Sequence, residues 1–208
     1  MWYPYVIAIL AAYLLGNLNG SVCVSALVAG EDVRKHGSGN AGLTNFFRSY
    51  GSWSTLWVLV VDMAKTVLAC HAAGLILHPL GMYHEGLVIG AVAVSLGHDF
   101  PALLGFRGGK GIVCGFATAL VIDWRIAIAI LVVFVIAFWI TRYVSLGSVL
   151  GAITFSIGFA VLHHDNLIIM IGGIFIGLLA IFMHRGNIVR LIKGTESKVH
   201  LIHRELNK

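Results

Sequence analysis

Four polar stretches interrupt an otherwise apolar chain, and they are rich in groups that bind small anions. They are GSGNAGLTNFFR (Gly37–Arg48), GHDFPALLGFRGGKG (Gly97–Gly111), RYVS (Arg142–Ser145) and HRGNIVRLIKGTESK (His184–Lys198). Glycines such as Gly39, Gly108, Gly109 and Gly111 have no side chain, so backbone N–H groups can come close to an anion. Ser38 and Asn40 add short polar side chains, and Arg48 adds a two-pronged donor that matches phosphate. Lys110 stands where a helix is expected to open, and there free amides and the helix dipole favour negative charge. His184, Asn187 and Arg190 are spaced i, i+3, i+6 and fall near one helix face.

Plainer readings compete at each motif. GSGNAG fits G-x-G-x-x-G, but a dinucleotide fingerprint needs a preceding strand in a βαβ unit. Here it follows an apolar helix and the charged run Glu31-Asp32-Val33-Arg34-Lys35, and a flexible turn with a surface arginine is the plainer alternative to anion binding, disfavoured because Asn40 and Asn45 cluster there. FRGGKG is not a Walker A loop. Leu104 stands where that motif needs its first glycine, and Gly111 where it needs Ser or Thr. The plainer alternative for Lys110 is a snorkelling lysine, and for the basic tail a segment drawn to anionic lipid, which explains its charges but not His184 and Asn187. His98 and Asp99, just before Pro101, are read as orienting or capping the loop in preference to relaying protons. Asp62 and Lys65 lie at i, i+3 inside an apolar span, where charge is costly unless paired. A mutual ion pair is preferred there over a substrate channel. Ser145 either caps the next helix or donates to a substrate, and Tyr143 reads as an interfacial anchor. His163 and His164 have no third ligand nearby in sequence, and Cys23, Cys70 and Cys114 lack CxxC spacing. Neither a metal site nor a disulfide framework is expected.

These motifs sit in a chain of 208 residues that is 59% hydrophobic and only 11% charged, with a mean hydropathy of +0.92. Soluble domains carry about 25% charged residues, so the expected solvent is a bilayer. The formal charge of +5 reflects membrane topology and not nucleic-acid binding. No charged side chain occurs from Met1 to Gly30, which argues against a cleavable signal peptide. Apolar runs over 2–28, 53–77, 86–104, 145–163 and 166–183 predict crossings. The region 111–141 holds two shorter runs, divided at Asp123-Trp124-Arg125, and predicts two short helices joined by a tight turn.

The fold expected is all-α: one polytopic integral membrane domain over 1–208, with about seven transmembrane helices. A re-entrant hairpin at 111–141 would give five crossings and a single long helix six. Seven or five crossings put all four polar stretches on one side. With the N-terminus outside, the inner segments hold Arg34, Lys35, Arg48, Arg107, Lys110, Arg142, Arg185, Arg190, Lys193, Lys198, Arg204 and Lys208, while the outer loops hold only Arg125. That bias predicts a cytoplasmic C-terminus and a cytoplasmic motif face. Trp2, Tyr3 and Tyr5 suit an outer aromatic belt, and Trp53 and Trp57 an inner one.

The segments AYLLGN, GSGNAGLTNFFR, DMAK, LGHDFPALLGFRGGKG, RYVSL and HRGNIVRLIKGTES occur in an order that resembles the bacterial acyl-phosphate:glycerol-3-phosphate acyltransferases. These are integral enzymes of the inner (plasma) membrane that act in the first step of phospholipid synthesis. The resemblance implies acyl transfer from acyl phosphate to the 1-hydroxyl of glycerol 3-phosphate, giving 1-acylglycerol 3-phosphate and phosphate. It implies that Ser38, Arg48, Lys110 and His184 hold phosphate, and that Ser145 and Asn187 orient glycerol hydroxyls. Gly39, Asn40, Gly108, Gly109 and Gly111 would complete the substrate site, which faces the cytoplasm beside membrane lipid, with no cofactor. The chain departs from the family pattern at Asn17 and Asn19, where Ser and Pro are usual, at Thr66, where Gly is usual, and at Gly186, where Glu is frequent.

Acyl phosphate is already an activated mixed anhydride, so positioning and charge stabilisation should suffice without a strong nucleophile. No Ser-His-Asp or Cys-His arrangement is evident, and the nearest approach to H-x-x-x-x-D is His200 to Glu205. The expected proton acceptor is therefore a donor phosphate oxygen, with His184 as the alternative base. From the residues alone, a transporter of an organic phosphate is the competing function, and a lipid-binding scaffold is a third. Transporters often carry internal repeats and mid-membrane helix breaks, and no convincing repeat is visible here.

Overall fold

The computed structural model describes residues 2–199, all helix and connecting turns, with no strand among them. Arg204, Lys208 and the His200–Glu205 spacing lie outside the described residues. The first apolar run is two helices, α1 (Tyr3–Gly16) and α2 (Gly20–Ala29), where a single helix over 2–28 was expected. The break follows from the two asparagines. Asn19 takes an extended backbone and its side chain accepts from Val22 N at 3.1 Å, an N-cap that starts a new helix. Asn17 donates back to Tyr13 O at 2.7 Å and accepts from Leu103 N at 3.0 Å.

Beyond a single turn at Val33–Lys35, α3 (Leu43–Tyr50) is a short amphipathic helix ending at Gly51. Then come α4 (Ser52–Leu77), α5 (Tyr83–Asp99), α6 (Ile112–Ile122), α7 (Trp124–Thr141), α8 (Val144–Leu162), α9 (Leu167–Met183) and α10 (Arg185–Ile192). Helices α1, α4 and α5 pack through small residues, as membrane helices do in the absence of a hydrophobic drive. A Cβ on Gly16 would fall 2.8 Å from the Cα of Gly97, so this α1–α5 crossing admits only glycine.

Among the described residues, five segments are long and apolar enough to cross a membrane: Tyr3–Ala29, Trp53–Leu80, Tyr83–Leu104, Trp124–Thr141 and Val144–Leu162. Helices α9 and α10 together make a sixth, bent by 55° at their junction. About seven transmembrane helices were expected, and the segment that falls short of the length for a crossing is α6. Its 11 residues span only about 16 Å at 1.5 Å per residue, roughly half of a 30 Å hydrocarbon layer. Asp123 does divide the region into two helices. It is extended, accepts from Arg125 N at 3.0 Å and pairs with the Arg125 guanidinium at 2.6 Å. Helix α6 folds back along α7, with Ala119 near Ile126 and Ala127, and Phe116 and Ile112 lining one crevice with Ile130 and Phe134. Its N-terminus therefore lies level with Phe134, roughly 10 Å short of the end of α7 at Thr141 by helical rise. The FRGGKG loop reaches down into that recess.

Candidate active site

The floor of the site is set by Asp62 and Lys65 on α4, which form the expected ion pair at 2.7 Å with both side chains almost fully buried. Their other partners explain why charge is tolerated at this depth. Gly20 N donates to Asp62 Oδ1 at 3.0 Å, and Lys65 Nζ donates to Leu18 O at 2.7 Å and Gly16 O at 3.3 Å. A helix break inside a bilayer frees backbone groups that only the protein can satisfy, and this pair satisfies those at the α1–α2 break.

The GSGNAG loop is organised by Asn45 of α3. Its amide donates to His36 O and Asn40 O, each at 3.0 Å, and its Oδ1 accepts from Ser38 N at 2.9 Å. Asn19 ties the loop to the α1–α2 break through Ala41 O at 3.1 Å. Arg34 spans to the second loop, donating to Leu104 O at 2.7 Å and Arg107 O at 3.1 Å while pairing with Asp32 at 2.7 Å. The two glycine-rich loops are therefore one unit.

Gly108 and Gly109 do something other than expected. Gly108 O accepts from Ala41 N and Asn40 Nδ2, each at 3.4 Å, and Gly109 N donates to His98 O at 3.1 Å. A Cβ at Gly108 would collide with His98 O, and one at Gly109 with the His98 ring. Neither glycine lines the cavity, nor does Gly39. The missing side chains of Gly108 and Gly109 serve close packing against His98 and the linking of loops. The expected outcome is that Gly109→Ala lowers the melting temperature and the activity, since forcing a methyl into a packed site costs about 1–3 kcal/mol. Gly115→Ala is the control, because a Cβ there meets nothing within 4 Å. Thermal unfolding of both variants in detergent checks the contrast.

The remaining candidates converge. Ser38, Asn40, Arg48, Lys110, Gly111, Ser145, His184 and Asn187 line one cavity of about 250 Å³, together with Arg190 and Glu196. Lys110 Nζ donates to Asn187 Oδ1. Asn187 Nδ2 donates to Glu196 Oε1 at 2.7 Å, and Arg190 Nε to Glu196 Oε2 at 2.6 Å. Arg48 reaches Ser197 O at 3.5 Å, and Val199 N donates to Arg142 O at 3.0 Å. The segment after α10 therefore folds back over the cavity mouth. Sequence reasoning took it for a basic tail and missed Glu196; the only available signal was an acidic residue within a basic run. His184 donates through Nδ1 to Ala180 O at 2.8 Å, because a carbonyl can only accept, so the neutral ring turns a lone pair at Nε2 away from the backbone.

Burial holds the Lys110 ammonium below its ordinary value. Arg190 and Arg48 push in the same direction, and Glu196 opposes them. Glu196 is itself pushed up by burial and drawn down further by hydrogen bonds, chiefly from Asn187, leaving it below the usual glutamate value. Activity that needs the Lys110 cation should therefore fall, as pH rises, at a lower pH than for an ordinary lysine. Glu196→Gln removes the one charge that raises Lys110, so it should move the alkaline limb of the kcat/KM profile to still lower pH.

A family model described as glycerol-3-phosphate acyltransferase matches residues 6–194. The chain belongs to that family. Among the acyltransferase relatives, the protein of that name from Finegoldia magna is 38% identical over 200 residues, covering 96% of this chain and 98% of its own. A crystal structure of PlsY (YgiH), an integral membrane glycerol 3-phosphate acyltransferase in its glycerol 3-phosphate form, superposes with a TM-score of 0.81. It is 31% identical and covers 94% of this chain and 96% of its own. A second crystal structure of PlsY, in a lysophosphatidic acid form, superposes with a TM-score of 0.79 at 29% identity over 94% of this chain and 95% of its own.

Proposed function

We propose that this acyltransferase moves a fatty acyl group from acyl phosphate to the 1-hydroxyl of glycerol 3-phosphate, releasing 1-acylglycerol 3-phosphate and phosphate. The observation that carries the reading is the convergence of Ser38, Arg48, Lys110 and Asn187, from widely separated stretches, around one cavity. That cavity is cationic on one wall, where Lys110, Arg48 and Arg190 gather, and it adjoins a narrow apolar crevice between α6, α7, α8 and α9 that gives it a lipid-compatible side. In this reading Ser38, Arg48 and Lys110 position phosphate oxygens and stabilise charge, while Ser145 and Asn187 orient the glycerol hydroxyls. His184, with its Nε2 lone pair, accepts from a glycerol hydroxyl when neutral and holds phosphate only when protonated.

The step is direct. The 1-hydroxyl oxygen bonds to the acyl carbonyl carbon, the bond from that carbon to the bridging oxygen breaks, and phosphate departs with the bridging oxygen. A phosphate oxygen of the donor takes the hydroxyl proton. Holding both reactants in one site supplies most of the acceleration, since the leaving group is already good. The whole chain acts as one membrane domain in the bacterial plasma membrane, with seven membrane-embedded helical segments, α6 crossing only in part. The N-terminus lies outside and the C-terminus and cavity face the cytoplasm. The charge bias between loops supports this orientation.

The test is purified, detergent-solubilised protein given acyl phosphate and glycerol 3-phosphate, with phosphate release followed over time. Release that depends on both substrates supports the reading. Movement of glycerol 3-phosphate across sealed vesicles without acyl transfer would replace it with transport.

A further inference from the structure

The sequence treats His98 as a loop residue, yet its ring lines the cavity beside Asp62, Lys110 and Gly111. Its proton position is set by its neighbour. Lys65 Nζ lies 2.8 Å from His98 Nδ1, and an ammonium has donors only, so Nδ1 accepts. A neutral imidazole with Nδ1 accepting carries its proton on Nε2. Asp62 does not compete, since its Oδ1 is 3.6 Å from Nδ1, beyond hydrogen-bond reach, and is engaged by Lys65 at 2.7 Å. Lys65 cannot swing away, because Leu18 O at 2.7 Å and Gly16 O at 3.3 Å hold it too. Gly109 packs against the Nε2 edge of the ring, where a Cβ would collide with that nitrogen first. His98 is 4% exposed, and its Nε2 has no hydrogen-bond partner among the described residues. That nitrogen is not among the buried atoms cut off from solvent, so it is reachable from the cavity.

We infer that His98 is a further substrate-contacting residue of this site, its Nε2–H donating to a phosphate oxygen of bound substrate, with Lys65 and Asp62 as the positioning residues that fix the proton there. The assignment rests on the acyl-transfer reading. His98 and Lys110 line the same cavity, so one bound anion can meet both the ammonium and the imidazole N–H. The two cavity histidines are set to opposite tautomers. His184 offers a lone pair, suited to a hydroxyl, and His98 a proton, suited to an anionic oxygen. A neutral donor of this kind stabilises charge without adding a cation beside the compensated Asp62–Lys65 pair.

The experiment combines kinetics with nitrogen-15 NMR of histidine-labelled protein in detergent. The His98 signal, identified by its loss in His98→Gln, should be pyrrole-type at Nε2 and pyridine-type at Nδ1. Glycerol 3-phosphate or inorganic phosphate should move the Nε2 resonance. His98→Leu should lower kcat/KM by about a hundredfold, and because it also takes an acceptor from buried Lys65 its melting temperature should fall, so activity is compared well below that temperature. His98→Gln, whose amide reaches toward the Nε2 position, should recover to within about tenfold of the natural enzyme. A rise in KM confined to glycerol 3-phosphate or to acyl phosphate identifies whose phosphate is held. If His98→Leu is as active as His98→Gln, or phosphate leaves the Nε2 resonance unmoved, the ring is only packing and the inference fails. The natural enzyme is assayed alongside: if it does not turn over, the acyl-transfer reading falls first, whereas normal turnover with an unimpaired His98→Leu removes the His98 assignment alone.

Discussion

Lys110→Met should lower kcat/KM by about a hundred- to a thousandfold while leaving the protein folded. Methionine keeps the length and apolar stem of lysine and removes only the charge and its donors. The ammonium bonds Asn187 and lines the cavity with Arg48 and Arg190, so a bound phosphate would meet it in a site with little water. Removing one preorganised donor from such a site costs about 3–4 kcal/mol in the transition state. Burial that lowers the ammonium's ordinary value also means that this lysine is destabilised as a cation until an anion arrives. Binding energy is then realised where the reacting phosphate sits. Arg48→Ala should have a smaller and salt-sensitive effect, because Arg48 is exposed and water screens it. Steady-state kinetics on both variants, with melting temperatures as a control for folding, check the ranking.

Lys65→Met should be the most destabilising single change in the protein, by about 3–5 kcal/mol, because it strands a buried carboxylate. Asp62 would keep Gly20 N but lose its cation, and the carbonyls of Gly16 and Leu18 would lose their donor. Pairing the change with Asp62→Asn should recover part of the loss, since an amide is far cheaper to bury than an unpaired charge. Thermal unfolding of the two single variants and the double variant measures the coupling directly. Equal melting temperatures for Lys65→Met and the natural protein would contradict the role given to this pair.

Much of this arrangement is legible in the sequence, because lipid and water select residues segment by segment. The runs read at 53–77, 126–141, 145–163 and 166–183 match α4, α7, α8 and α9 to within a residue or two at each end. Most of the polar residues that line the cavity were legible for the same reason: in an apolar chain, polar groups stand out. What hydropathy does not encode is depth and pairing. The run at 111–122 is apolar, but it is only an 11-residue helix that starts part-way along α7, and nothing in its composition records that. The break at Asn17–Asn19 was hidden because asparagines paired with Leu103 N and Ala41 O, beside carbonyls that Lys65 satisfies, look in sequence like blemishes in a span. Gly108 and Gly109 were assigned to an anion because glycine signals close approach without naming the partner, and that partner is His98. Glu196 joins the site only because the chain turns back after α10, a tertiary event with no local pattern.

Direct attack of a glycerol hydroxyl on the acyl carbon is best tested by following one oxygen atom. Glycerol 3-phosphate labelled with oxygen-18 at its 1-hydroxyl is given to the purified enzyme with unlabelled acyl phosphate, and the products are read by mass spectrometry. The label should appear in the ester of 1-acylglycerol 3-phosphate, and the released phosphate should contain none. Label in the phosphate, or an ester without it, would mean that the cavity does not carry out this reaction.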